Sequence, residues 1–200
     1  FVLDQVAHWA TPGSGNPLAG KVDVSHTALL GYSMGGYGVL NAAGVGTSPI
    51  ATRFVPGPAL QARQADNPTF EQAIDPRIKA LIAFAPWGGQ QGLFEGKGLA
   101  GLRVPSLFVA GDQDDVAGYA DGVRRLAEGA SNADRYLLVY ENARHNIAPN
   151  PPPAAASSHP DDFSAYAEPV WDSSRINNIN QHFVLAFLDQ QLKGIDRKAY

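Results

Sequence analysis

The sequence predicts an α/β fold, a mostly parallel sheet with helices on both faces, and two observations carry that prediction. Four short apolar runs, at 27–31, 78–84, 104–110 and 135–140, have the length and composition of buried strands. Segments of helical character separate them, and strands that alternate with helices assemble into a parallel sheet. No internal repeat is present, and the 200 residues are read as one domain.

The elements follow in order. Phe1 to Trp9 reads as a helix, with apolar residues at 1, 2, 3, 6 and 9. A start within a helix predicts that preceding sequence is missing. Thr11 to Gly20 is rich in turn residues and forms a loop. The run 27–31 is the first strand, and small and apolar residues from Tyr37 to Ala43 form the helix that follows. The stretch to about residue 76 is a loop punctuated by Pro56, Pro58 and Pro68. Ile78 to Phe84 is the second strand, ended by Ala85-Pro86-Trp87-Gly88-Gly89. A glycine-rich excursion, 88–101, leads to the third strand at Val104 to Ala110. Val116 to Gly129 reads as a helix with Val123, Leu126 and Ala127 on one side, and Arg135 to Tyr140 is the fourth strand. Five prolines and a run of alanines make 148–161 an irregular surface loop. Ile176 to Lys193 closes the chain as a helix stopped by Gly194.

Composition narrows the chemistry. The chain is 44% hydrophobic and 17% charged, with a net charge of −4 and scattered basic residues. That balance argues against nucleic acid or an anionic membrane surface as partner. No run approaches the roughly 20 apolar residues of a membrane span. Cysteine is absent, which removes disulfides, thiolate metal sites and cysteine nucleophiles.

One motif stands out. Gly31-Tyr32-Ser33-Met34-Gly35 lies between an apolar strand and a small-residue helix. A serine hydroxyl is a weak nucleophile that needs exposure and a neighbouring base. A G-x-S-x-G turn in this setting lifts the serine above the sheet in a strained conformation, beside the positive end of a helix. The other reading is a glycine-rich turn with an incidental serine. His145, directly beyond the fourth strand, stands where open α/β sheets gather their sites, and so is the candidate base. His8 and His182 lie on helices, His26 precedes the first strand, and His159 sits in the proline-rich loop. After the third strand, Gly111-Asp112-Gln113-Asp114-Asp115-Val116 offers three carboxylates to orient the imidazole. The same cluster could instead cap a helix. A calcium loop fits poorly, because Val116 and Ala117 stand where it needs an oxygen ligand and a glycine.

With these residues in place, the chain resembles the dienelactone-hydrolase-like and platelet-activating-factor-acetylhydrolase-like branch of the α/β-hydrolases. The resemblance rests on the elbow through Gly36, on Ala85-Pro86-Trp87, on Gly111 to Asp114 and on Ala143-Arg144-His145. The chain is also similar to bacterial cutinase-type polyesterases, which carry cysteines that it lacks. The resemblance implies Ser33 as nucleophile, His145 as base and Asp114 as acid, with Asp115 the second choice and Asp112 the third. It implies Met34 as an oxyanion-hole N–H and Trp87 as a wall of the substrate pocket; the alternative for Trp87 is a packed core indole. Tyr32 and Tyr37 are read as packing residues.

The resemblance further implies strands preceding the elbow that this chain does not contain, so the second oxyanion donor is expected from a missing amino-terminal segment or from another chain. The expected activity is hydrolysis of a small-molecule ester through an acyl-enzyme, with no cofactor. Alternatives are a serine peptidase or amidase using the same residues, and a non-catalytic hydrolase-like binding domain.

Overall fold

A computed structural model describes residues 1–54 and 57–197 of the chain. Among these residues, four parallel strands form one sheet in the order β1-β2-β3-β4. They are β1 (Thr27–Tyr32), β2 (Ile78–Phe84), β3 (Ser106–Gly111) and β4 (Arg135–Tyr140). The helices are α1 (Val2–Ala10), α2 (Met34–Ala42), the short α3 (Ala51–Phe54), α4 (Pro58–Gln61) and α5 (Gly96–Leu99), then α6 (Arg125–Gly129), α7 (Pro160–Ser164) and α8 (Ser173–Lys193). The architecture is therefore mixed α/β, and the sheet is parallel throughout.

The register assigns the faces, because aligned residues of parallel neighbours share a side. Tyr32, Phe84, Val109 and Leu138 align across the sheet, and Tyr136 and Tyr140 share their side. α8 covers this face: Tyr136 meets Phe187 edge-on, and the Tyr140 hydroxyl donates to Asn180 at 2.8 Å. Gly31, Ala83, Phe108 and Leu137 form the opposite side, where Gly31 lies against the start of α2. β2 and β3 supply the centre of the core, with Leu81, Ile82, Phe108 and Val109 fully buried beside Leu40, Leu126 and Ile176.

Several expected boundaries move, each for a local reason. β3 starts at Ser106, since Pro105 has no N–H for the ladder, although its carbonyl accepts from Leu81 at 2.9 Å. The helix expected from Val116 begins only at Tyr119, because Gly118, at φ 74° and ψ 144°, stands outside the helical backbone region. A wide helical turn, Tyr119–Arg124, breaks at Gly122 before α6 begins. α2 starts immediately after Ser33 rather than at Tyr37. α8 starts at Ser173, capped by Asp172, whose carboxylate accepts from the Arg175 N–H at 2.8 Å. The proline-rich loop contains two short helical pieces, Ala156–Ser158 and α7, the latter with Pro160 in its first turn. Pro56 lies outside the described residues.

Candidate active site

The turn from β1 into α2 holds Ser33 at φ 53°, ψ −114°, a backbone region that costs a non-glycine residue about 1–3 kcal/mol. Three main-chain bonds maintain it. The Ser33 N–H donates to Phe84 at 2.9 Å, while its carbonyl accepts from Tyr37 and from Trp87, each at 3.1 Å. A Cβ at Gly31 would stand 2.2 Å from the Gly35 oxygen, and one at Gly36 would stand 2.7 Å from Pro86 Cα. Gly35 has open space around it. The turn therefore requires Gly31 and Gly36, and not the Gly35 that the motif emphasises.

Asp114 follows β3 in a turn pressed against the turn that follows β4. The contact is close enough that a Cβ at Gly111 would meet the Ala143 and Arg144 carbonyls at 2.3 Å. Its side chain is fully buried, and Oδ1 accepts from the Val116 and Ala117 N–H groups at 2.9 and 2.8 Å. These bonds fix the carboxylate, and His145 Nδ1 lies 3.0 Å from both of its oxygens. His145 Nε2 lies 3.0 Å from Ser33 Oγ. A carboxylate only accepts, so the ring proton belongs on Nδ1, and Nε2 presents its lone pair to the serine hydroxyl. Burial pushes the Asp114 pKa up. The His145 hydrogen bond, the Val116 amide, the charge of the imidazole and the Ala117 amide together outweigh that, leaving the carboxyl below its usual range.

The remaining expected residues fall around this line. Met34 is the first residue of α2, so its N–H is among those a helix leaves unpaired, and its side chain is exposed. Trp87 is half-buried, with its indole edge-on to Phe54 at 6.0 Å and to Tyr37 at 6.5 Å. Asp115 pairs with Arg144 at the surface, and Asp112 accepts the Asn142 N–H at 2.7 Å. Neither touches the imidazole; both link the acid turn to the histidine turn. Of the other histidines, His26 pairs with Asp23 on the surface.

Three residues near His145 give little sign of themselves in the sequence. The Tyr32 hydroxyl donates to the His145 carbonyl at 3.1 Å and to Asn146 Oδ1 at 3.3 Å. Its ring lies 5.2 Å from the imidazole, so Tyr32 does more than pack. Burial, with Asp114 and Glu168 nearby, pushes its phenol up to about 12, which keeps the proton on. Asn146 donates to the Ser164 and Ala167 carbonyls, and buried Glu168 accepts the Arg144 N–H at 3.0 Å. Adjacency to His145 could have pointed to Asn146, and adjacency to Ser33 to Tyr32; nothing local marks Glu168.

Two recesses lie away from Ser33. One of about 420 Å³ runs between β4 and α8, and one of about 200 Å³ is lined by Gly44, Gly98 and Gly101 among others. Among the described residues no cluster of three or more His, Asp or Glu could hold a metal ion, and no helix is long and apolar enough to cross a membrane. No protein-family model matches the chain. No curated protein matches it either.

Proposed function

We propose that the chain is a serine carboxylic-ester hydrolase that works through an acyl-enzyme, with Ser33 as nucleophile, His145 as general base and acid, and Asp114 as the orienting carboxylate. The observation that carries this is the unbroken line from Ser33 Oγ through both ring nitrogens of His145 to buried Asp114, each step 3.0 Å. The strained elbow supports it, since backbone strain of this kind collects at functional sites. The same reading makes the architecture that of the α/β-hydrolases. Nucleophile, acid and histidine follow β1, β3 and β4 in the chain order that group uses.

The steps follow from the geometry. Ser33 Oγ attacks the ester carbonyl carbon as its proton passes to His145 Nε2. The carbonyl electron pair moves onto oxygen, where the Met34 N–H and the amino terminus of α2 stabilise the charge. Asp114 accepts from Nδ1–H and stabilises the imidazolium without taking its proton. The tetrahedral intermediate collapses, the C–O bond to the alcohol breaks, and Nε2 returns the proton to the departing oxygen. Water then attacks the acyl-serine with His145 again as base, releasing the acid and free Ser33. Trp87 lines the substrate pocket in this scheme. An amide could follow the same route, so a peptidase or amidase differs only in leaving group.

A fluorophosphonate probe on the wild-type protein tests the proposal. Labelling at Ser33, together with loss of labelling and of ester turnover by several orders of magnitude in Ser33→Ala, is the expected result. A Ser33→Ala protein that still hydrolyses esters overturns it. A wild-type protein that neither labels nor turns over ester leaves the non-catalytic binding domain in its place.

A further inference from the structure

We infer that Tyr32 is a positioning residue for His145, coupling the strand that carries the nucleophile to the turn that carries the base. The inference rests on the serine-hydrolase reading and adds a residue to it. His145 sits on a turn with no ladder partner of its own, so its ring can be no better placed than that turn's backbone. Besides the links from Asp112 and Asp115, side chains hold the turn from two further directions. Glu168 accepts the Arg144 N–H at 3.0 Å, and the Tyr32 hydroxyl donates to the His145 carbonyl at 3.1 Å.

Tyr32 is the more telling of the two because of where it begins. It is the last residue of β1 and the immediate neighbour of Ser33, so one rigid strand end fixes both the nucleophile and the carbonyl of its base. Its ring adds a second restraint, tilted 32° against the imidazole with centroids 5.2 Å apart. The hydroxyl also reaches Asn146 Oδ1 at 3.3 Å. Asn146 in turn donates to the carbonyls of Ser164 and Ala167, at 3.0 and 2.8 Å. The order of support is thus β1, Tyr32, the 145–146 backbone, and the segment 164–168. A phenol with its pKa near 12 keeps the donor in place across the working range of a histidine base.

Tyr32→Phe tests this by removing one hydroxyl and leaving the ring. Turnover of a short-chain p-nitrophenyl ester should fall about tenfold in kcat with KM changed less than twofold, the effect of one neutral hydrogen bond felt at the base rather than at the substrate. Fluorophosphonate labelling of Ser33 should slow by the same factor, with the thermal midpoint within a few degrees of wild type. The ring ¹⁵N resonances of His145, single and sharp for the Nδ1–H tautomer in wild type, should broaden or shift in the variant. An unchanged kcat with unchanged His145 resonances overturns the inference, as does a parallel loss of kcat, KM and thermal stability. If wild-type protein fails to label with fluorophosphonate, the hydrolase reading is what fails. The His145 resonances still decide whether Tyr32 positions the ring.

Discussion

Three aspartates within four positions have three different surroundings, and the surroundings divide the work. Asp114 is buried and takes two main-chain N–H bonds besides the imidazole; Asp115 is half exposed and paired with Arg144; Asp112 receives the Asn142 N–H. In the proposed mechanism only the first stabilises an imidazolium. Asp114→Asn should therefore lower kcat by about 10⁴, because an amide can no longer hold the Nδ1–H tautomer. Asp115→Asn removes an exposed ion pair worth about 0–1 kcal/mol and should leave kcat within a few-fold. Steady-state kinetics on the two variants separates the roles; equal losses would contradict the assignment. Asp114 also sets a pH dependence of stability. Its folded-state pKa is depressed, so its contribution is complete above the ordinary carboxylate value of about 3.9 and is lost as pH falls through the lower folded value. Urea midpoints measured between pH 7 and pH 2 should show this loss in wild type and a shallower slope in Asp114→Asn.

At the scale of the elements, the elbow and α8 carry the arrangement. A Gly31→Ala Cβ would press within 2.2 Å of a main-chain oxygen that cannot retreat, since α2 begins there, whereas Gly35→Ala meets nothing. The first should destabilise by several kcal/mol or prevent folding, and the second should stabilise by about 0.5–1 kcal/mol through the helix preference of alanine. Thermal denaturation of both variants checks the contrast. On α8, buried Asn180 accepts from the Tyr140 hydroxyl at 2.8 Å and donates to the Ile147 carbonyl at 2.7 Å. Asn180→Ala leaves both partners without it and should cost about 1–3 kcal/mol in chemical denaturation. Sequence pattern makes the strands at 78–84 and 135–140 legible to their ends, because apolar runs bounded by turn residues state their own length. It places the serine, the histidine and the three candidate acids for a similar reason: each follows a strand. It does not reach the delayed helix after Asp114. There Gly118 takes a non-helical backbone conformation, φ 74° and ψ 144°, and apolar periodicity carries no record of that. The hydrogen bonds of Tyr32 and Glu168 are likewise beyond its reach, since their partners lie 113 and 24 residues away in sequence.

For the molecule as a whole, β2 and β3 anchor a site to which neither strand contributes a side chain. The Phe84 carbonyl receives the Ser33 N–H, and the Val109 carbonyl receives the N–H of Ala85, which holds φ 40°. Both strands are buried almost end to end, while β1 and β4 are each paired on one side only among the described residues. The acid turn packs directly on this centre. The histidine turn is tied outward, through Asn146 and Glu168, to the segment 164–168, which carries little buried apolar surface. Opening free energies in a native protein track buried contact and protected hydrogen bonds. Amide hydrogen exchange should therefore be slowest in β2 and β3, close to the global unfolding limit. It should be intermediate at the Ser33 elbow and fastest from 150 to 171. The Arg144 amide should exchange faster than the Ala117 amide, although both lie near the imidazole. The first is held by Glu168 on the largely exposed segment 164–168, whereas the second is sealed against buried Asp114. On the proposed mechanism, labelling of Ser33 in mild urea should then decline before far-UV circular dichroism does, as His145 detaches while the sheet persists. Coincident loss of labelling and secondary structure, with uniform exchange across the two turns, would show instead that the site and the sheet open as one unit.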